Sequence, residues 1–318
     1  MDFELSITIC SWNTCADTML CLEKLYEVRN EAQFEVIVFD NGSTDGTPQA
    51  IKERFPLSQN LWLKLIESPV NRGFTGGHNE CLRLRRAPDA LLLNSDAFVH
   101  PSAIKTLIDF AQTHPESGII GPKLLNPDGS LQLSCRRFPN PIAALYRSTF
   151  IGKLFPHNRF ARDYLMSDWD HGSVRDVDWI SGAAFYVKKT VIDKVGVFDD
   201  LYFMYCEDVD WCYRAGKAGF KITYVPTAIV THKIGSSSSQ VANKMIVRFH
   251  RSMLRFYRKN MISELPKIVR PFAVVFAAGA LFSRATLFIL KNDIDFIWRL
   301  LGKSNDNKRN SKGARSIN

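Results

Sequence analysis

Along its first 120 residues the chain alternates between two textures. Short apolar runs close on polar residues: LSITICSWN, EVIVFDNGS, LWLKLIESP, ALLLNSDAF and SGIIGP. Between them lie stretches of helical periodicity, Asp17 to Asn30, Pro48 to Phe55, Gly76 to Arg86 and Pro101 to His114. Strands alternating with helices predict β-α-β units around a mostly parallel sheet flanked by helices, an α/β fold. Uninterrupted runs such as LLLN suit strands buried on both faces. Thr47-Pro48 reads as an N-cap followed by proline at the first helical position.

The rhythm breaks over residues 122–180, which are rich in Pro, Arg and aromatic residues and show little period. Long irregular segments inside compact chains usually serve as lids or binding walls. Regular texture returns with SGAAFYVKK, a helix over Thr190 to Val195, a helix running from MYCEDVDWCYR to Gly219, and two strands, KITYVP and AIVTHK.

From about Gln240 the texture changes again. VANKMIVRFHRSMLRFYRKN interleaves basic and apolar residues and is followed by IVRPFAVVFAAGALFSRATLFILK. The longest uncharged run there, Pro271 to Ser283, falls short of the roughly 20 residues that span a bilayer. Two readings stand: a core helix packed on the sheet, or a basic amphipathic element lying in a membrane interface. Charge favours the second. Residues 1–243 hold 25 Lys+Arg against 28 Asp+Glu, and residues 244–318 hold 16 against 4, so the net +9 originates entirely in the last quarter. Such an excess suits an anionic membrane surface. No nucleic-acid recognition motif accompanies it, so nucleic acid is not an expected partner. The chain divides on this reading into a catalytic domain over 1–240, a helical membrane-associating extension over 241–303 and a disordered tail over 304–318.

Seven cysteines, an odd number with no C-x-x-C pair, read as reduced core thiols of an intracellular protein. MDFELSITIC lacks the basic start and long apolar core of a signal peptide. The expected location is cytoplasmic, peripheral at the inner face of the plasma membrane.

Three familiar motifs are absent from the sequence: G-x-G-x-x-G after the first strand, G-x-x-x-x-G-K-[ST], and H-E-x-x-H. Their absence argues against a standard dinucleotide oxidoreductase, a P-loop NTPase and a zincin. Polar residues collect instead at the ends of predicted strands, where open α/β sheets bind ligands. Ser11-Trp12-Asn13, Asp40-Asn41 and Asn94-Ser95-Asp96 would converge on one rim. Asp40 is either a turn-former beside Asn41-Gly42 or an acceptor for a base or ribose. Asp96 lies too early to cap the helix at Pro101 and is placed to hold Mg²⁺ or Mn²⁺ together with phosphate. Gly73, Gly76 and Gly77 would let backbone approach a ligand, with Arg72 beside a phosphate. His232, closing a late strand, is either structural or a metal ligand. Glu207, Asp208 and Asp210 either favour the positive end of a helix dipole or supply a general base.

Together, SITICSWN, VIVFDNGSTDGT, NRGFTGGHN, LLLNSDA, LLNPDGSLQLSCRRFP, DWDH, VDWISGAAF, FMYCEDVDWCYRAGKAGF and the His of IVTHK resemble the inverting glycosyltransferases of family 2, which have the GT-A fold. SCRRFP and DWDH are most similar to the bacterial rhamnosyltransferases that use dTDP-rhamnose. The resemblance covers about residues 5–260. It implies that Asp40, Ser11, Asn13, Asn41, Asn71, Arg72 and Gly73 serve the nucleotide donor. Asn94-Ser95-Asp96 would occupy the family's Asp-x-Asp metal position, with Asn replacing the first acid. Asp96 and His232 would hold Mg²⁺ or Mn²⁺. Asp208 would be the catalytic base, with Glu207 the second candidate. Trp179, Ser181 and Gly182 would line the sugar and acceptor site, and residues 122–180 would form its wall and lid; Trp211, like Tyr205, either offers an apolar face to a sugar ring or belongs to the core. A carboxylate at a helix start is expected to have a low pKa and stand ionised. The implied product is a glycan, lipid-linked, for cell-surface polysaccharide such as O-antigen. Two alternatives accompany this reading. A sugar-nucleotide nucleotidyltransferase would open with a glycine-rich basic loop, which SWNTCADT is not. A non-catalytic nucleotide-sugar-binding protein would have lost its base or metal residues.

Overall fold

In a computed structural model, residues 3–139, 159–233 and 242–313 are described. Strand β1, Leu5–Ser11, is buried almost throughout. Leu5, Ile7 and Ile9 pack on one face with Val36, Val38, Leu91 and Leu93. On the other face Ser6 donates to Glu35 at 2.6 Å and Thr8 pairs with His78 at 2.8 Å. A strand buried on both sides needs either apolar residues or satisfied polar ones at every position, and β1 alternates the two.

The chain continues as α1 (Cys15–Glu27), β2 (Phe34–Asp40), α2 (Thr47–Arg54), β3 (Leu63–Glu67), α3 (Gly73–Leu84), β4 (Asp89–Asn94), β5 (Ala97–Val99), α4 (Ala103–Thr113) and β6 (Ser117–Leu125). Short strands β7 (Leu131–Gln132) and β8 (Cys135–Arg136), helix α5 (Arg159–Leu165) and strands β9 (Arg175–Val177) and β10 (Trp179–Ile180) follow. Then come β11 (Ala184–Val187), α6 (Lys189–Val195), α7 (Glu207–Lys217) and β12 (Lys221–His232). The sheet runs β3-β2-β1-β4-β11-β6-β12-β5, with β7 added on β6 and β9 on β12. Its long ladders are parallel: β2 with β3, β1 with β2 and β4, and β6 with β12. Strand β11 enters antiparallel between β4 and β6.

Two details differ from the sequence reading. The helix at Thr47 is capped by Gly46 in a left-handed conformation, and Asp45 accepts the Thr47 N–H at 3.1 Å. KITYVP and AIVTHK form one strand, β12, whose register shifts between Val225 and Ile229 around Pro226. Proline cannot donate to a ladder, so the chain bulges there and continues.

The chain forms two compact units, Met1–Ser239 and Gln240–Asn318. In the second, helices α8 (Ala242–Phe256) and α9 (Arg270–Gly313) run as an antiparallel pair joined through a π-helical turn at Tyr257–Met261. Asn243 donates to Asp293 at 2.8 Å, and the Arg284 guanidinium lies over the Phe249 and Phe288 rings. Helical backbone continues to Gly313, past the expected start of a disordered tail at 304. A nucleated helix propagates until a breaker intervenes, and no proline follows Pro271. Arg270–Ile294 is long and apolar enough to cross a membrane, and its most apolar window is entirely unburied. That corrects the measure taken from the uncharged run alone: Arg284 interrupts the run without interrupting the helix.

Candidate active site

The parallel register aligns the strand ends. Ser11 pairs with Asp40 and Cys10 with Asn94, so the chain leaves β1, β2 and β4 on one edge of the sheet. Asp40 is buried. Its Oδ2 accepts the Ser43 N–H at 2.9 Å, and its Oδ1 has no partner. A buried carboxylate oxygen left unpaired is costly, which makes it a ready acceptor for a ligand N–H or O–H. Asn13, at φ 51, accepts the Thr44 N–H at 2.8 Å, and Asp45 accepts the Cys15 N–H at 2.8 Å, so the loops after β1 and β2 brace each other.

Some expected donor residues turn out to be braces. The Ser11 hydroxyl is fully buried among Thr14 and Thr18, away from the rim. Asn41 spends its amide on Gly73 O at 3.1 Å and on the Arg72 N–H at 2.9 Å. Asn71 accepts the Gly73 N–H at 2.8 Å, while the Arg72 side chain stands half exposed. Gly73 has φ 79, and a Cβ there would strike the Phe203 carbonyl and ring. This close approach lets Phe74 N–H donate to Phe203 O at 2.9 Å, tying the loop before α3 to the segment that leads into α7.

After Asn94 the chain turns through Ser95 and Asp96 and crosses to β12. The β5–β12 register sets Ala97 opposite His232, and Lys233 N–H donates to Asp96 O at 2.9 Å. Asp96 Oδ1 therefore stands 3.3 Å from His232 Nε2, and the Asn94 amide nitrogen 3.2 Å from the same atom. Thr14 reaches Ser95 at 3.1 Å and fixes this turn from below. The other ring nitrogen of His232 meets Gln132 Oε1 at 2.7 Å. Gln132 was not singled out from sequence, because its position beside His232 arises only when β7 pairs with β6.

At α7, Tyr205 (φ 71) and Cys206 (φ 64) are consecutive left-handed residues, a strained approach of the kind that collects at functional sites. Asp208 Oδ2 accepts the Gly182 N–H at 3.0 Å and Oδ1 the Val209 N–H at 2.8 Å. Burial raises the Asp208 pKa against the pull of these N–H groups. Burial, and then the neighbouring Asp208 charge, push Glu207 well above the usual carboxylate range, and its Oε2 has no partner. The expectation of a low pKa is thus overturned: removal from water outweighs the dipole of the helix start. Asp210 is structural, paired with Arg214 at 2.8 Å.

Trp211 is fully buried, packs against Phe185 and Phe198, and donates to Gly196 O at 2.9 Å. It is core and offers no face to a sugar, because its position in α7 points into the sheet. Trp179 is half-buried and donates to Arg137 O at 2.8 Å, with the Arg136 guanidinium 5.9 Å from its ring. Ser181 N–H donates to Ser134 O at 2.9 Å, Gly182 abuts Asp208, and Ala183 O accepts the Asn94 N–H at 3.0 Å. Residues 181–183 thereby connect the acid-headed helix to the Asn94–Asp96 turn. Trp169 and His171 of DWDH stack on each other beside Tyr224, so this segment is an aromatic packing cluster. Residues 140–158 of the expected wall and lid lie outside the described residues.

A parallel half-sheet that ends in acids and amides, facing an acid-headed helix across a shared strand, is the layout of the GT-A glycosyltransferases. A family model described as "Glycosyltransferase like family 2" matches residues 4–248, and the chain belongs to this family. It is 33% identical over 237 residues to N-acetylglucosaminyl-diphospho-decaprenol L-rhamnosyltransferase of Mycobacterium tuberculosis, covering 71% of this chain and 75% of that protein. It is 26% identical over 223 residues to the low-salt glycan biosynthesis hexosyltransferase Agl10 of Haloferax volcanii, covering 69% and 64%. The mannosyltransferase PcManGT from Pyrobaculum calidifontis, solved with GDP-Man and Mn²⁺, shares the fold at TM-score 0.55 and 15% identity, over 92% of this chain and 80% of that one. The protein is a glycosyltransferase, and the nucleotidyltransferase and binding-protein alternatives are set aside.

Two outcomes test the packing described. Gly73→Ala combines a left-handed φ with a clash against backbone, so it is expected to lose about 1–3 kcal/mol in denaturant titration. Asp208→Asn is expected to lose less stability than the parent as pH rises, from whatever level the loss of one accepted N–H sets at low pH. A carboxylate whose folded pKa is raised loses stability as pH rises from its unfolded pKa through its folded one, and the amide escapes that loss. Melting temperatures across pH 4–8 would check this, and a difference that moves in favour of Asp208→Asn with rising pH is the expected signature.

Proposed function

We propose that this enzyme transfers L-rhamnose from dTDP-L-rhamnose, with inversion, to a lipid-linked glycan acceptor in cell-surface polysaccharide synthesis. The observation that carries the donor and acceptor class is the similarity, over most of both chains, to an L-rhamnosyltransferase whose name gives a decaprenol-linked acceptor. The observation that carries the chemistry is Asp208, held by the Gly182 N–H one residue from the carbonyl that fixes Asn94.

On this reading the acceptor oxygen attacks the anomeric carbon and its proton passes to the Asp208 carboxylate. The bond from that carbon to the diphosphate oxygen breaks, and the nucleoside diphosphate leaves with the electron pair. One base on the face opposite the leaving group suffices for inversion. Glu207, whose carboxyl burial and the Asp208 charge push up, is the second candidate for the base. Asp40 Oδ1 accepts an N–H of the base or an O–H of the ribose, with Asn13 and the half-exposed Arg72 beside the nucleotide.

The residues fit a divalent cation of the Mg²⁺ or Mn²⁺ type in a limited way. Asp96 Oδ1 and His232 Nε2 face each other at 3.3 Å, and no group of three or more acidic, His or Cys ligands exists among the described residues. Two protein ligands leave the remaining positions to donor phosphates and water, a common arrangement for these ions. A bound ion would offset charge on the departing diphosphate. The second unit is the membrane attachment, at the cytoplasmic face, through the unburied apolar stretch Arg270–Ile294 and the basic residues around it.

Donor hydrolysis against a panel of sugar nucleotides, with and without Mn²⁺, tests the catalytic reading. Turnover confined to dTDP-L-rhamnose is expected, falling about 10²–10⁴-fold in Asp208→Asn. The acid limb of its pH profile should lie above the range of an ordinary carboxylate, because activity is lost as pH falls through a raised pKa. Turnover of a different donor would reject the rhamnosyl assignment. Membranes from expressing cells test the attachment: protein retained after high salt but released by alkaline carbonate indicates an interfacial helix, and retention after both indicates a spanning one.

A further inference from the structure

We infer that Gln132 fixes the tautomer of His232, presenting the Nε2 lone pair and not an N–H to Asp96. The motif NPDGSLQ carries no role in the function proposed above, yet its alternate residues form one hydrogen-bonded chain. Asp128 Oδ1 accepts the Ser130 hydroxyl at 2.6 Å and its N–H at 2.9 Å. With its proton given to a carboxylate, the Ser130 oxygen accepts the Asn126 amide N–H at 2.9 Å. Asn126 Oδ1 then faces Gln132 Nε2 at 2.8 Å, and the same Gln132 nitrogen lies 3.0 Å from the His232 carbonyl. A carbonyl oxygen can only accept, so the orientation of the Gln132 amide is determined twice over. Its Oε1 is left to face His232 Nδ1 at 2.7 Å, and an oxygen there requires Nδ1 to carry the proton.

The consequence falls on Nε2. With Nδ1 protonated, the neutral ring has a lone pair at Nε2, where the Asn94 amide donates at 3.2 Å and Asp96 Oδ1 stands at 3.3 Å. The opposite tautomer would donate Nε2–H to Asp96, and the two groups would satisfy each other. In the neutral ring Gln132 prevents that closure and keeps two electron-pair donors side by side. Its role is positioning, in the manner of an outer-shell partner that orients a histidine ligand. The consequence for a divalent ion rests on the cation reading given above; the tautomer does not.

The test uses full-length protein labelled with ¹⁵N-histidine and long-range ¹H–¹⁵N correlation spectra, with His232 assigned by its loss in His232→Gln. The expected parent spectrum shows Nδ1 protonated and Nε2 bare. Gln132→Met should give a tautomer mixture or the reversed form. Ser130→Ala, farther along the chain, should shift the ratio less and serves if Gln132→Met does not fold. Mn²⁺ alone, titrated by electron paramagnetic resonance, should bind about 10–100-fold more weakly to Gln132→Met. A parent Nε2–H tautomer, or a tautomer unchanged in both Gln132→Met and Ser130→Ala, overturns the inference. Absence of Mn²⁺ binding in the parent alongside the expected tautomers would overturn the cation reading alone.

Discussion

The peptide units at Gly182 and Ala183 hold the site together. Gly182 N–H binds Asp208 and Ala183 O binds the Asn94 N–H, so one short segment spaces the acid-headed helix from the turn that carries Asp96. The segment can do this because β11 enters antiparallel between β4 and β6, where a parallel strand would present its other end. Backbone groups make good spacers. They have no rotamers to choose from, and their hydrogen bonds are fixed once the ladder forms. The half-sheet of β1, β2 and β4 and the acid-headed helix α7, which fold from separate stretches of sequence, are thereby locked at one separation.

Holding the acids in place is costly, and the cost is visible in three places. Asp208 and Glu207 are removed from water beside each other, Tyr205 and Cys206 are left-handed without being glycine, and Gly73 meets the Phe203 carbonyl more closely than any side chain allows. All three lie on the path from α3 to α7. The buried Asp210–Arg214 pair and the Trp211 core contacts anchor the same helix from behind. Strain and buried charge at the front are held by well-packed structure at the back, the arrangement expected where a site is kept rigid against its own preferences.

Much of this was legible before any coordinates. The period of LSITICSWN, EVIVFDNGS and ALLLNSDAF was enough to set the order of strands and helices, and acids at strand ends marked the rim. What the sequence hid has a physical pattern. Ser11 and Asn41 sit at the rim but are turned inward by Thr18 and Gly73, since a side chain one residue along a strand points the other way. Trp211 reads from sequence as either a sugar platform or a core residue, and its place on the helix, about 100° per residue round from the acids, puts it in the core. Asp208 reads as an ionised cap until its burial is known. Gln132 is invisible because its partner is 100 residues away and the contact depends on sheet pairing.

The asparagine at 94 makes sense in the same terms. An aspartate there would add a second carboxylate for a cation, but it would bring no proton to His232 Nε2 and would face Asp96 with like charge. The amide donates to that nitrogen at 3.2 Å and steadies the ring from the side opposite Gln132. A histidine held at both nitrogens has its ring plane fixed, so a ligand that displaces the Asn94 N–H from Nε2 meets an imidazole with less freedom to lose. One carboxylate fewer weakens the charge term. On the proposed cation reading a fixed imidazole would recover part of it through preorganisation, and the donor phosphates would complete the shell.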